Sequence, residues 1–191
     1  MRTAHIEGCL LVEDYITVFE KAAPDIDFSY LWSLRPDEPQ TLFLPSGNFT
    51  PGRRWLAMGK DYRFSGQVAS AVPFVPVIDN LRQEVENLTH YKFNGALLNF
   101  YGENDSISHH QDDQRDLVRG SPIVTVSYGT PRVFSLEEID ARRVGDVIVK
   151  ARDVLVMHPK AAAKCTHAIL PYPRSHKNRD SRISVTFRNY K

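Results

Sequence analysis

The sequence predicts an α+β fold in which one or two N-terminal helices pack outside a C-terminal sandwich or jelly-roll barrel. Two observations predict this class. Seven short segments rich in Val, Ile, Thr and Phe follow one another after residue 95, and turn-forming residues separate them. A well-defined amphipathic helix comes before them. Because 191 residues suit one hydrophobic core, we expect a single domain spanning residues 1–191, with the barrel over about residues 95–191.

The helices are predicted in the N-terminal half. An apolar run over residues 12–21 predicts a short helix, and a Pro-rich connector follows it. A second helix is predicted over residues 76–88, because Pro76 suits the first turn and apolar residues recur at helical spacing. Glu84 and Glu86 are expected to face outward. The apolar stripe consists of Val77, Ile78, Leu81, Val85 and Leu88.

The strands are predicted in the C-terminal half. Each segment is short, and turn formers such as those at 102–105 and 119–122 lie between them. The predicted strands are 96–101, 123–128, 133–136, 147–149, 154–157, 166–170 and 183–188.

Composition excludes several classes of protein. Lys and Arg number 24 and Asp and Glu 23, so the chain is not a polycation that coats nucleic acid non-specifically. No apolar run approaches the roughly 18 residues of a membrane span. The first residues lack the pattern of a secretory signal, which predicts an intracellular protein, cytoplasmic or, in a eukaryote, nuclear. Cys9 and Cys165 are expected as free thiols.

A candidate metal site begins at His110 and Asp112. On a strand, residues two apart point to the same face, so this imidazole and this carboxylate can meet one ion. A second His from a later strand would complete two His and one carboxylate on one face of an octahedral metal. His167 is the best candidate because it lies in an apolar segment. The alternative is that these are buried imidazoles satisfied by backbone groups.

Two further segments show polar residues at alternate positions. In the last segment Arg182, Ser184, Thr186 and Arg188 share one face, which is unusually polar for a barrel interior. Two inward guanidiniums need anionic partners, and a dicarboxylate such as 2-oxoglutarate supplies them. An exposed strand with two solvated arginines is the alternative.

Asn99 and Tyr101 also alternate onto one face, and both are neutral donors that suit the carboxylate oxygens of the same ligand. The alternative is that backbone groups satisfy both side chains.

Taken in order, these motifs resemble those of the AlkB family of nucleic-acid dealkylases. The series is Asn99-Phe100-Tyr101, His110-Gln111-Asp112, residues 121–127, His167 and residues 182–188, and it is more specific than any one member. The resemblance implies a double-stranded β-helix (a jelly-roll, cupin-like core). It also implies iron(II) held by His110, Asp112 and His167. The residues that would contact 2-oxoglutarate are Asn99, Tyr101, Arg182, Ser184 and Arg188.

The segment over about residues 45–70 is similar to the nucleotide-recognition lid of AlkB members that repair double-stranded DNA. There the aromatic residue at the position of Phe64 stacks on a flipped base, and the residue at the position of Tyr62 lines the same pocket. Cations such as Arg53 and Arg54 suit the flanking phosphates. The alternative is that the two aromatic residues belong to the core.

Two departures bear on these roles. Many relatives have Asn where this chain has Ser184, which removes a longer donor near the cosubstrate. Gln114 stands where relatives often have an acidic residue, while Asp113 remains as a carboxylate to attract a cationic methylated base.

The activity implied is oxidative demethylation of N-alkylated bases, such as 1-methyladenine and 3-methylcytosine, in DNA or RNA. The reaction would need iron(II) as cofactor, consume O2 and 2-oxoglutarate, and release formaldehyde, succinate and CO2. The expected protein is a monomer without membrane contact. One alternative is a 2-oxoglutarate-dependent hydroxylase of a protein side chain or small molecule. Another is a metal-free jelly-roll binding module.

Overall fold

The structure is a computed structural model that describes residues 3–6, 9–12, 14–44, 46–64, 66–140, 143–172 and 180–191. The helices are α1 (Phe28–Ser33), α2 (Pro76–Thr89) and α3 (Pro159–Lys164). The strands are β1 (Thr3–Ile6), β2 (Cys9–Val12), β3 (Ile16–Phe19), β4 (Leu42–Leu44), β5 (Gly47–Phe49), β6 (Arg54–Met58), β7 (Tyr62–Phe64), β8 (Gln67–Ala69), β9 (Ala71–Val72), β10 (Gly95–Tyr101), β11 (Ile107–His110), β12 (Ile123–Gly129), β13 (Arg132–Glu138), β14 (Arg143–Val149), β15 (Val154–Met157), β16 (Cys165–Ile169) and β17 (Arg182–Arg188).

Two main sheets share an apolar core. The larger sheet has the strand order β1-β2-β3-β15-β12-β17-β10-β6-β9, and the smaller has the order β11-β16-β13-β14. The pairs β4–β5 and β7–β8 form two separate hairpins. One core cluster contains side chains from both main sheets, and a second lies between the larger sheet and helices α1 and α2. The larger sheet therefore has one face toward the helices and one toward the smaller sheet.

Strand β17 shows how this arrangement positions polar groups. It pairs with β10 on one side and β12 on the other, and all seven of its residues are buried. Ile183, Val185 and Phe187 belong to the cluster on the helical face. Because successive side chains alternate, Arg182 and Arg188 point into the space between the sheets. The polar alternation in the sequence is thus that of a buried strand, and all seven predicted strand segments are confirmed.

Helix α2 confirms the predicted helix but corrects one residue. Ile78, Leu81 and Val85 are buried against the larger sheet, as the stripe requires. Glu86, which was expected to face outward, is buried with 7 % of its surface exposed. Its carboxylate accepts hydrogen bonds from Arg82, Lys92 and the backbone N–H of Phe93 at 2.7–2.9 Å. These donors offset the cost of burying the charge, which periodicity alone does not reveal.

The helix predicted over residues 12–21 is wrong. Residues 16–19 form strand β3, which pairs with β2 and β15 and buries alternate side chains. Ile16, Thr17 and Val18 are β-branched and suit a strand. Asp14 and Lys21 have positive φ angles of 57° and 50°, which interrupt a helix on either side. A short apolar run does not distinguish a buried helix from a buried strand. Here residues 16–19 form a strand because they pair with the edge of β15.

The N-terminal segment therefore contributes strands to the larger sheet as well as helices. Strands β3 and β6 both precede residue 95, where the barrel was expected to begin. Neither cysteine forms a disulfide, as predicted. Among the described residues, no helix has the length and apolarity needed to span a bilayer.

Candidate active site

A single pocket between the two sheets brings most of the predicted site residues together. Of the thirteen residues predicted for metal, cosubstrate and substrate, all but Arg54 and Asp113 line it. Strands β10 and β17 of the larger sheet supply one wall, β11 and β16 of the smaller sheet supply another, and β7 lies across the opening. The pocket exists because polar residues alternate with core residues on paired strands.

His110, Asp112 and His167 converge at one point of this pocket. Their potential ligand atoms all lie within 4.8 Å of one another. His110 and His167 are register partners on β11 and β16, and their ring centroids are 4.3 Å apart. His110 Nε2 lies 4.0 Å from Asp112 Oδ1. Asp112 itself lies beyond the end of β11, so the loop rather than the predicted strand carries the carboxylate.

The protonation states suit metal binding. Burial lowers the pKa of His110, and it lowers the pKa of His167 to about 4, so both imidazoles are neutral near pH 7. His110 Nδ1 lies 2.9 Å from the carbonyl oxygen of Ser108, to which it can donate, and this leaves Nε2 free to bind an ion. His167 is stacked on Phe134 at a centroid distance of 5.4 Å. Two neutral imidazoles and one carboxylate suit a first-row divalent metal.

Asp112 is kept ionised by Arg188. Burial acts to raise the pKa of Asp112, but the guanidinium and the two imidazoles hold it well below its usual range. Arg188 Nη2 donates to Asp112 Oδ2 at 2.9 Å, and both side chains are buried. The pair is therefore a charge-assisted hydrogen bond inside the protein, and it fixes one carboxylate oxygen while the other faces the imidazoles.

Arg182 differs from Arg188 in its partners. Only 1 % of its surface is exposed, and Nη2 donates to Ser127 Oγ at 2.9 Å. Its Nε and Nη1 atoms have no hydrogen-bond partner among the described residues. Burial lowers its pKa, and the nearby Arg132 guanidinium acts in the same direction. Buried unpaired donors on a cation call for an anionic ligand, so this end of the pocket fits a carboxylate of 2-oxoglutarate.

The other predicted cosubstrate residues surround the same space. Asn99 lies opposite Ser184 in the β10–β17 register, and Tyr101 lies opposite Arg182. The Arg182 guanidinium carbon is 5.2 Å from the centre of the Tyr101 ring. These neutral groups and the guanidinium form a pocket wall that can bind a dicarboxylate through several hydrogen bonds.

Aromatic side chains form the opening of the pocket. Tyr62 and Phe64 stack with centroids 5.2 Å apart and an interplanar angle of 20°, and Phe64 meets Trp55 edge-on at 5.6 Å. The Arg53 guanidinium lies 5.5 Å from the Trp55 ring. Burial raises the pKa of Tyr62 above its usual range, so its hydroxyl remains a donor. A flat ligand can stack against such a group of rings.

Two predicted substrate residues lie outside the pocket. Arg54 pairs with Phe100, whose side chain is on the helical face of the larger sheet, while its neighbour Trp55 lines the pocket. Strand alternation therefore separates Arg54 from Arg53. Asp113 lies on the surface groove beside the opening, where its carboxylate is bound by the Arg115 guanidinium at 2.9–3.0 Å.

Three residues of this region were not predicted from the sequence. Trp55 follows two arginines, and alternation from Arg53 is the only sequence signal for it. Ser127 lies directly opposite Ser184 on β12, a register that only strand pairing reveals. Arg132 is 2 % exposed, donates to the carbonyl oxygens of Asp105 and Leu170 at 2.7 Å, and no local pattern marks it as buried.

Comparison with known proteins identifies the family. The 2OG-Fe(II) oxygenase superfamily matches residues 27–188, a span that includes every residue lining the pocket. The chain belongs to this superfamily. The match confirms the predicted class of protein, an oxygenase that uses iron(II) and 2-oxoglutarate, and the cluster of His110, Asp112 and His167 is compatible with its iron site.

The similar proteins include AlkB homologues. The chain is 36% identical over 140 residues to the DNA oxidative demethylase ALKBH2 of Homo sapiens, covering 68% of this chain and 52% of the relative. It is 29% identical over 123 residues to the human alpha-ketoglutarate-dependent dioxygenase alkB homolog 3, covering 59% of this chain and 42% of that protein. The chain thus spans about half the length of these relatives.

A solved structure shows the same fold. OsALKBH1 superposes with a TM-score of 0.67 at 15% sequence identity, covering 99% of this chain and 100% of that one. This likeness confirms the predicted α+β double-stranded β-helix. The 36% identity to ALKBH2 over 140 residues supports the resemblance of the sequence motifs to those of the AlkB family.

Proposed function

We propose that this oxygenase demethylates N-alkylated bases of nucleic acid, using iron(II), O2 and 2-oxoglutarate and releasing formaldehyde, succinate and CO2. One observation carries the proposal. A three-ligand metal cluster, a buried guanidinium with unpaired donors and an aromatic stack line one pocket. These are the sites that a metal, a keto-diacid and a planar base require.

The wall residues bind and orient the cosubstrate. His110, Asp112 and His167 would hold iron(II), which together with 2-oxoglutarate supplies an oxidant able to hydroxylate a methyl group. Arg182 would neutralise a carboxylate of the cosubstrate at the buried end of the pocket, because its free N–H groups need acceptors. Arg188 keeps Asp112 ionised and fixed by hydrogen bonding to Oδ2.

The aromatic opening would receive the base. A base inside a duplex is out of reach, so it must leave the stack, and Phe64 and Tyr62 offer rings against which it can stack. A base held there excludes water and aligns its methyl group with the metal cluster. Hydroxylation of an N-methyl group gives a hemiaminal that loses formaldehyde, so the protein needs no acid or nucleophile of its own.

The substrate proposed first is methylated DNA, because the relative with 36% identity is named a DNA oxidative demethylase. Cationic lesions such as 1-methyladenine and 3-methylcytosine would be attracted by Asp113 beside the opening. The Arg115 ion pair reduces that attraction. Lesion preference therefore depends on an exposed pair of residues rather than on a buried charge.

The test is formaldehyde release from oligonucleotides with defined methyl lesions. Asp112→Ala removes the only carboxylate of the described metal cluster, so we expect no release above background. Asp146→Ala, an acid on β14 that pairs with Arg143 away from the pocket, is the matched control and should retain activity. Equal activity of the Asp112 variant would refute the site. Turnover of 2-oxoglutarate that no methylated oligonucleotide stimulates would refute the nucleic-acid substrate.

A further inference from the structure

Tyr62 makes a direct contact with the candidate metal cluster. Its hydroxyl donates a hydrogen bond to Asp112 Oδ1 at 3.2 Å, and both residues are buried. Among the described residues, Tyr62 is the only one of the β7–β8 hairpin that hydrogen bonds to a member of this cluster. The strand that closes the opening therefore touches the metal ligands as well as the space for the base.

The oxygen that Tyr62 contacts is the one on the metal side. Arg188 holds Oδ2 of Asp112, whereas Oδ1 faces His110 Nε2 at 4.0 Å. A carboxylate oxygen has two acceptor sites, so Oδ1 can bind a metal and accept the phenol hydrogen together. The two hydrogen bonds thus set the rotation of the carboxylate.

Tyr62 itself is held rigidly. Its ring stacks on Phe64 on one strand, and the Arg188 guanidinium lies 4.6 Å from the ring centre. Only 8 % of the residue is exposed. A phenol with so little freedom can orient its acceptor, because little entropy is lost in forming the bond.

We propose that Tyr62 is a positioning residue for the metal ligand Asp112, so that the strand bearing Phe64 also sets the affinity of the metal site. The inference rests on the proposed assignment of His110, Asp112 and His167 as metal ligands. Groups that hydrogen bond to metal ligands commonly contribute about 10- to 100-fold to metal affinity. A residue that only lined the base pocket would leave metal binding unchanged when its hydroxyl was removed.

The experiment measures Mn(II) binding without nucleic acid, by the electron paramagnetic resonance signal of the free ion. Tyr62→Phe keeps the ring and its stacking and removes the hydroxyl alone. We expect its dissociation constant for Mn(II) to rise about tenfold. Tyr128→Phe is the control, because that hydroxyl is bound to the Pro24 carbonyl oxygen and the side chain lies on the helical face of the larger sheet. It should bind Mn(II) as the wild type does.

A second measurement separates positioning from a general loss of folding. At saturating Co(II), the visible absorption spectrum reports ligand geometry even when affinity has fallen, and we expect it to change in Tyr62→Phe but not in Tyr128→Phe. Mn(II) affinity within twofold of the wild type, with an unchanged Co(II) spectrum, would overturn the inference and leave the metal site intact. If the wild type and Asp112→Ala bound Mn(II) with equal affinity, the assignment of the metal site itself would be refuted.

Discussion

Replacing Arg182 by Met is expected to stabilise the cosubstrate-free protein while removing its response to 2-oxoglutarate. The side chain is 1 % exposed, it has one hydrogen bond to Ser127, and two of its nitrogens lack partners. A buried cation of this kind lowers the stability of the ligand-free protein, and a ligand that supplies the missing acceptors removes that cost. Met is unbranched and apolar, so it can occupy much of the same space without unpaired donors.

The magnitude follows from these contacts. Each buried donor without a partner costs about 1–3 kcal/mol, so a conservative estimate of the gain in unfolding free energy is about 1–3 kcal/mol after the Ser127 bond is lost. For a protein of this size, that corresponds to about 2–4 °C in melting temperature per kcal/mol. Loss of the buried Arg182 guanidinium should weaken the binding free energy of 2-oxoglutarate by about 3–5 kcal/mol, which is at least about 100-fold in affinity.

Arg188→Met is the matched control, since it lies on the same face of β17 and is 4 % exposed. Here too Nε and Nη1 lack partners among the described residues, but Nη2 is paired with Asp112, so loss of the guanidinium leaves a buried carboxylate and should destabilise by about 3–5 kcal/mol. Urea unfolding of metal-free protein, with and without 2-oxoglutarate, measures both effects. The reasoning is refuted if Arg182→Met unfolds more easily than the wild type without ligand, or if 2-oxoglutarate still stabilises it normally.

Three further predictions concern pH, a buried carboxylate and lesion preference. Burial lowers the pKa of His167 from 6.5 to about 4, so the unfolded chain takes up a proton at this residue more readily than the folded protein. The free energy of unfolding of metal-free protein should therefore keep the full contribution of neutral His167 above pH 6.5 and lose it as pH falls toward 4. Urea unfolding in the presence of a metal chelator should show that the unfolding free energy of His167→Gln falls less than that of the wild type as pH is lowered. Glu86→Gln should destabilise by about 1–2 kcal/mol, because it weakens the charge-assisted hydrogen bonds that Arg82 and Lys92 donate, whereas the exposed Glu84→Gln should change thermal unfolding little. Arg115→Gln should free Asp113 and favour cationic over neutral methylated bases in competition assays, and an unchanged ratio would contradict that role.

Much of the fold was predictable because local patterns and tertiary environment agree. The strands of the C-terminal half are short and β-branched, and the structure places each where its alternation requires. Residues 16–19 show the limit. Their pattern suits either a buried helix or a buried strand, and pairing with β15 made the choice. Glu86 shows the same limit for burial, since its acceptors are satisfied by a backbone N–H seven residues later.

By itself, the sequence determined the identity and spacing of the chemical groups: an imidazole and a carboxylate on one segment, a second imidazole on another, and an alternating polar strand on a third. Alternation is a property of the backbone, so the polar faces of β10 and β17 could be assigned without coordinates, whereas Asp112 lies in a loop after β11. Only the tertiary structure decided which groups are partnered. It paired Arg188 with the Asp112 carboxylate but gave Arg182 no carboxylate partner among the described residues, and it brought the Tyr62 hydroxyl from a separate hairpin onto the carboxylate. Such contacts join residues 50 to 76 positions apart, and the register and packing that create them have no local signature.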